Sequence, residues 1–317
     1  MALYALGDIH LHFQTELKAK LQMRDRAWRN HEEVFRKNCE GMLQPDDTLV
    51  LTGDNSFGKN LAECELDMQY ISALPGKKIL LRGNHDHYWD AKKTNTLNEH
   101  FRGQLCFLQN NFYSYEDYAL VGTKGHCFEG PFYLDRRGRI LGWDEKNEEQ
   151  SRKLVERETD RLLQSFETAR KAGYRKYLMF LHYPPTNILE NESPFTKIAE
   201  EYRAEQVIYS HSHGEARFHD SIQGEYNGIL YSLVSGDYLR WKPKKSIDGA
   251  VFCAKVEPNT ETDLQFSKAL SEAEKAGVKA LFLLCHVEPN MIEAVRSTQR
   301  VFEWNNIWPG SLLPLTN

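Results

Sequence analysis

The 317-residue sequence predicts an α/β fold. Short β-type runs alternate with charged helical stretches of ten or more residues, the pattern of a sheet crossed over by helices. Five of those runs also end abruptly in clusters of His, Asp or Asn. Ligands of α/β sheets sit beyond the carboxyl ends of the strands, so five such ends can converge on one crevice.

Leu3–Leu6 leads into Gly7-Asp8-Ile9-His10-Leu11-His12, and the amphipathic stretch from Phe13 to Cys39 reads as a long helix. Thr48–Thr52 leads into Gly53-Asp54-Asn55, and Leu61–Ala73 reads as the next helix. Lys78–Arg82 leads into Gly83-Asn84-His85-Asp86-His87. Leu105 to Val121, with Asn110-Asn111 as its turn, reads as a hairpin or meander. Glu145 to Lys171 places Leu154, Leu162 and Phe166 near helical spacing on a heavily charged stretch. Tyr177–Leu181 leads into His182-Tyr183-Pro184-Pro185, and Gln206–Tyr209 into Ser210-His211-Ser212-His213.

From about Ile247 the character changes. A strand (Ala250–Val256), a helix (Asp263–Ala276) stopped by Gly277 and a strand (Ala280–Cys285) precede a Trp/Pro-rich end, with no dense ligand cluster. The expected division is a domain over residues 1–245 and a small α/β extension over 246–317.

Composition narrows the function classes. Lys+Arg 40 against Asp+Glu 45 leaves a net charge of −5, which disfavours general adhesion to nucleic acid or anionic membrane. No apolar run approaches the roughly 20 residues needed to cross a bilayer. The stretch Met1 to Asp8 reaches an acid too soon for a signal peptide. Cys39, Cys64, Cys106, Cys127, Cys253 and Cys285 are scattered without a C-x-x-C pair and read as core thiols of a reducing compartment. The expected localisation is cytoplasmic.

The clusters themselves carry the chemistry. A site for two metal ions needs carboxylate and amide oxygens, imidazole nitrogens and one carboxylate able to bridge. Asp8, His10, Asp54, Asn84, His182, His211 and His213 supply that set. Two carboxylates against two divalent cations leave about two positive charges, which attract phosphate even in an acidic protein. Mixed N/O donors favour Mn, Fe, Zn, Co or Ni over Mg or Ca.

In order, Gly-Asp-Ile-His (7–10), Gly-Asp-Asn (53–55), Gly-Asn-His-Asp (83–86), His182 and Ser-His-Ser-His (210–213) resemble the five motifs of calcineurin-like metallophosphoesterases. The resemblance spans roughly residues 1 to 245, including Tyr-x-x-Val-Ser-Gly-Asp-Tyr (231–238). It implies a four-layer α/β/β/α sandwich. It further implies a first metal on Asp8, His10 and His213, a second on Asn84, His182 and His211, and Asp54 bridging them. His85 would donate a proton or hydrogen bond to the leaving oxygen or phosphoryl group, and Asp86 would orient it. Arg82, His12 and His87 are candidates to contact substrate. The last motif usually opens with Gly, and here it opens with Ser210. The residues from about 250 on are more weakly similar to the C-terminal end of the sugar fermentation stimulation protein family, with no active site carried over.

The expected function is a phosphohydrolase that uses two divalent or mixed-valence ions, Mn, Fe or Zn, to cleave a phosphodiester or phosphomonoester through a hydroxide bridging them. Its partner is a phosphorylated small molecule or a phosphodiester. Two alternatives stay open: a nuclease on DNA or RNA, which the acidic charge disfavours, and a non-catalytic metal-binding scaffold for a protein. Specificity would come from Tyr88-Trp89, from Tyr183 to Phe195, and from the insert His126 to Trp143 with its run Arg136-Arg137-Gly138-Arg139.

Overall fold

The computed structural model describes residues 1–15, 26–126, 133–134, 140–141, 145–187, 190–248, 251–254, 280–283, 301–304 and 312–314. They belong to two compact units, Leu3–Ser246 and Ile247–Asn317 together with Met1–Ala2.

In the larger unit the chain forms Ala2–Leu6 (β1), His31–Met42 (α1), Thr48–Leu51 (β2), Glu65–Ser72 (α2), Lys77–Leu81 (β3), Thr94–His100 (α3) and Cys106–Leu108 (β4). Phe112–Tyr115 (β5) and Tyr118–Thr123 (β6) follow, then the two-stranded pair Tyr133–Leu134 (β7) and Ile140–Leu141 (β8). Glu145–Lys171 (α4), Lys176–Leu181 (β9), Pro194–Glu201 (α5), Gln206–Tyr209 (β10), Gly224–Tyr226 (β11), Ile229–Leu233 (β12) and Lys244–Asp248 (β13) complete it.

Two sheets result. The first has the order β13-β1-β2-β3-β4, with β1 to β4 parallel. The second runs β11-β12-β10-β9-β6-β5, with a parallel centre and an antiparallel strand at each edge. Strands such as ALYAL and TLVL are buried along their whole length, as parallel strands covered on both faces must be. The odd-numbered residues of β6, β9 and β10 (Val121, Met179, Val207) pack with Leu162 and Phe166 of α4 and Phe195 of α5. The even face looks towards the first sheet: a Cβ on Gly122 would lie 3.2 Å from Leu81 Cδ1. This is an α/β sandwich with flanking helices, as expected.

The local signals explain most elements. On α4, Val155, Leu162, Phe166 and Ala169 are buried at helical spacing. The helix ends in a Schellman motif, Tyr174 N–H to Ala169 O and Gly173 N–H to Arg170 O, with Gly173 at φ +99° where a side chain would be strained. Helix α5 opens on a capping box between Ser193 and Thr196 with Pro194 in its first turn.

Two expectations change. The helix expected over Phe13–Cys39 is α1, which starts only at His31, after Asn30 in the left-handed conformation (φ +51°). Near the start of that stretch, Phe13 N–H donates to Asp67 Oδ1 and Leu66 N–H to Gln14 Oε1, so contacts with α2 hold this segment out of a helix. Residues 16–25 lie outside the described residues. Asn110-Asn111 is not a hairpin turn either: β4 joins the first sheet beside β3, while β5 pairs with β6 in the second.

The smaller unit holds Val251–Ala254 (β14), Ala280–Leu283 (β15), Val301–Trp304 (β16) and Leu312–Pro314 (β17), in that order in one sheet. The first two pairs are parallel and the last is antiparallel. The helix expected over Asp263–Ala276 lies outside the described residues, as does most of the insert His126 to Trp143. Among the described residues no helix is long and apolar enough to cross a membrane.

Candidate metal centre

Register brings the clusters to one level. Leu6 faces Leu51, Leu51 faces Leu80, and Tyr209 faces Leu233, so the chain leaves each strand at the same edge of its sheet. Hydrogen bonds between the exit loops tie the two sheets together there: Gly7 N–H to Val234 O (2.8 Å) and Ser210 Oγ–H to Thr52 O (3.1 Å). Asp8 N–H to Gly53 O and His10 N–H to Asp54 O (both 2.9 Å) align the first two loops.

The turns are sharp. Asp8, His10, Asp54 and His211 all sit at positive φ (63°, 44°, 53° and 71°), a strain of about 1–3 kcal/mol each that clusters at functional sites. Gly83 is required by packing: a Cβ there would overlap the Asp54 carboxylate. Gly7 likewise leaves room for the side chains of Thr52 and Ser210. That space is why Ser at position 210 is tolerated.

The side chains form two groups, Asp8–His10–His213 and Asp54–His182–His211. Within each group one ligand atom per residue lies within 4.8 Å of the others. They meet at Asp54 Oδ2, which is 3.6 Å from His10 Nε2 and 3.5 Å from His182 Nε2. Asn84 Oδ1 lies 2.9 Å from His182 Nε2, and His211 Nδ1 lies 3.2 Å from the same nitrogen. His85 Nε2 stands 3.9 Å from Asp54 Oδ2, on the half-buried side of the site.

The surroundings select tautomers that suit a cation. His182 Nδ1 is 3.1 Å from Thr52 O, and a proton held there leaves Nε2 with its lone pair inward. His213 Nδ1 lies 3.1 Å from Asp237 Oδ1, whose other oxygen accepts from Gly214 N–H. His213 Nε2 and Asp8 Oδ1 then face each other at 3.7 Å, both buried and without a hydrogen-bond partner.

Burial pushes Asp8 up to about 6. Burial, with Asp86 and Asp8 nearby, pushes Asp54 well above the carboxylate range. His10, His182 and His211 are held well below the usual imidazole range, mainly by burial. Burial also opposes the charge of His213, but Asp8 and Asp237 outweigh it and lift that ring to about 9. The orphaned Asp8 oxygen, the Asp54 carboxylate and the neutral imidazoles of His10, His182 and His211 converge as a donor set that fits divalent cations.

Four further residues that the sequence singles out lie around the two donor groups. Asp86 is fully buried. Its carboxylate accepts from the N–H groups of Asn55, Ser56 and Gly83 and from the Asn55 amide, so it clamps two loops together. A buried carboxylate is satisfied best by backbone donors, and these two loops present three. His12 is half-buried, with Nδ1 3.0 Å from His10 O. His87 is exposed, its ring 6.3 Å from that of His85. Arg82 is half-buried, with Nε enclosed and unpartnered.

Sequence reasoning missed three neighbours. Asp237 lies in the 231–238 stretch, but nothing in its spacing ties it to His213. Phe57 stacks on His10 at 4.8 Å, and Trp28 meets His213 edge-on at 5.2 Å. Trp28 gives no signal in the sequence, because a distant residue braces it: Trp241 packs at 4.8 Å and donates Nε1–H to Ala27 O.

The calcineurin-like phosphoesterase family matches residues 1–215, and the chain belongs to that family. It is therefore a member of a family of metal-dependent phosphoester hydrolases. No curated protein matches the chain. Among solved structures it is similar to AQ665 of Aquifex aeolicus, a protein of unknown function (15% identity, 76% of this chain, 94% of that one, TM-score 0.38). It is also similar to TT1561 of Thermus thermophilus (11% identity, 72% of this chain, 86% of that one, TM-score 0.38).

Proposed function

We propose that residues 1–245 form a dinuclear phosphoester hydrolase. Asp8, His10 and His213 hold one divalent ion, Asn84, His182 and His211 hold the other, and Asp54 is shared. The observation that carries this reading is the meeting of two buried three-residue donor groups at one oxygen of Asp54. The mixed N/O donors favour Mn, Fe or Zn. Such ions supply positive charge against phosphoryl oxygens and activate water as the nucleophile.

The chain does the rest. The loops set the donors before any substrate arrives, since their backbone bonds and the Asp86 clamp close without it. His85 stands on the half-buried side of the cluster, with its ring 5.4 Å from His10 and 5.1 Å from Phe57. Placed there it donates a proton or hydrogen bond to the departing oxygen of a phosphorylated small molecule or diester. Its backbone N–H donates to Asp54 Oδ1 (2.8 Å), which couples its position to that of the shared carboxylate.

The test is hydrolysis of bis-p-nitrophenyl phosphate and p-nitrophenyl phosphate by protein stripped of metal and reloaded with Mn, Zn, Fe, Ni or Mg. Metal-dependent turnover that drops at least about a hundredfold in Asp54→Asn is expected, and the ester preferred separates diesterase from monoesterase. Metal uptake with neither ester cleaved would overturn the reading.

A further inference from the structure

An imidazole presents its donor nitrogen to an ion only in one ring orientation, and that orientation is normally fixed by a hydrogen bond at the other nitrogen. His182 has Thr52 O at its Nδ1, and His213 has Asp237 at its own. His10 has no such partner. Its Nε2 lies 3.6 Å from Asp54 Oδ2, while its Nδ1 is buried and makes no hydrogen bond among the described residues.

The His10 ring meets aromatic side chains instead. Phe57 stacks on it, with centroids 4.8 Å apart and planes 22° apart, and Trp28 meets it at 5.5 Å, tilted by 58°. A ring stacked nearly parallel cannot turn about its Cβ–Cγ bond without driving into its partner, so close packing selects the plane that a hydrogen bond selects elsewhere.

Both aromatic residues are tied to the backbone on either side of His10. On one side, Phe57 N–H donates to Leu11 O (2.9 Å), and Ser56 bridges to Leu11. On the other, His31 Nε2 lies 2.8 Å from Ile9 O while its Nδ1 lies 3.1 Å from Trp28 O. Trp28 is itself buried, with Trp241 packed on it at 4.8 Å. Phe57 and Trp28 are therefore held in register with the loop that carries Asp8 and His10.

We propose that Phe57 and Trp28 are positioning residues for the first ion, an aromatic clamp that sets the His10 ring in place of the hydrogen bond its Nδ1 lacks. This rests on the dinuclear reading above for the ion itself.

The experiment is calorimetric titration of metal-stripped full-length protein with Mn, for the parent chain, Phe57→Leu, Phe57→Tyr and His213→Ala, with the urea midpoint of each metal-free sample measured alongside. Phe57→Leu keeps apolar bulk and removes the stack. It is expected to weaken one of the two Mn constants about 10–100-fold, the usual cost of losing a group that orients a ligand. The other constant is expected to stay within about threefold, and Phe57→Tyr, which keeps the stack, to leave both within that range. The constant that survives in Phe57→Leu is expected to be the one that survives in His213→Ala. Both constants unchanged in Phe57→Leu overturns the clamp, and so does loss of the site that His213→Ala retains. Both constants falling together with the urea midpoint marks a merely structural ring and overturns it too, as does a Tyr variant as weak as the Leu variant. If Phe57→Leu does not fold, Phe57→Met is titrated in its place. A parent chain that takes up fewer than two Mn ions sinks the dinuclear reading and the clamp with it. Two ions bound with Phe57→Leu unaffected sinks the clamp alone.

Discussion

Asp237 holds His213 from behind, at 3.1 Å, and its second oxygen is held by Gly214 N–H. Carboxylates in this position fix the ring's tautomer and raise its basicity, and their loss commonly weakens metal binding about 10–100-fold. Asp237→Asn is therefore expected to bind Mn about 10–100-fold more weakly by calorimetry, with the ester turnover returning at saturating metal. Unchanged affinity would mean the contact is only structural. His126 offers a pH prediction of the opposite kind. Burial, reinforced by Lys124, pulls its ring from 6.5 down to about 4. It is neutral when folded but protonated when unfolded below about 6.5, so the folded state loses stability as pH falls from 6.5 towards 4. The urea midpoint of His126→Gln should depend less steeply on pH across that window than that of the parent chain. At this scale the ligand types were legible, because each follows a β-run in a His/Asp/Asn cluster. The role of Asp86 was not: its neighbour in sequence is His85, yet its partners are the backbones of Asn55, Ser56 and Gly83.

Helix α4 shows what an element owes to its own residues. Its apolar stripe of Val155, Leu162, Phe166 and Ala169 is buried against the second sheet, and Leu162 is fully enclosed. Leu162→Ala is expected to cost about 2–5 kcal/mol in urea denaturation, through lost burial and the cavity left behind. A cost below about 1 kcal/mol would show that the helix does not seal this face. Elements read from an apolar run or a long periodic stretch, such as β1, β2, β9 and α4, agree with expectation to within a residue or two. The exceptions share a cause. The stretch after His12 has amphipathic spacing, but Asp67 and Leu66 of the α2 region bind its backbone and side chains. Asn110-Asn111 has the composition of a turn, but the strands on either side belong to different sheets.

For the whole molecule the decisive quantity is how far folding and metal binding are linked. The donor loops come from both sheets, so the site exists only when the sandwich is assembled. A ligand bound only by the folded state stabilises it by about 2.7 kcal/mol at one hundred times its Kd. Adding Mn should therefore raise the melting temperature, a chelator should reverse the rise, and Asp54→Asn should abolish most of it. A melting temperature indifferent to every metal would contradict the proposed centre. What could be read from the chain was chemical type and order: β-runs, helical stretches, and clusters of metal-ligating residues that together resemble one family. What required the folded molecule was mutual placement. The left-handed turns at Asp8, His10, Asp54 and His211 bring the side chains together, and Asp54 Oδ2 comes within 3.6 Å of His10 and 3.5 Å of His182 only because strands far apart in sequence end at one level. Asp237, Trp28 and Phe57 gain their positions in the same way. Periodicity and motif spacing are local properties of a chain, whereas burial, charge balance and approach distances depend on residues far away in sequence.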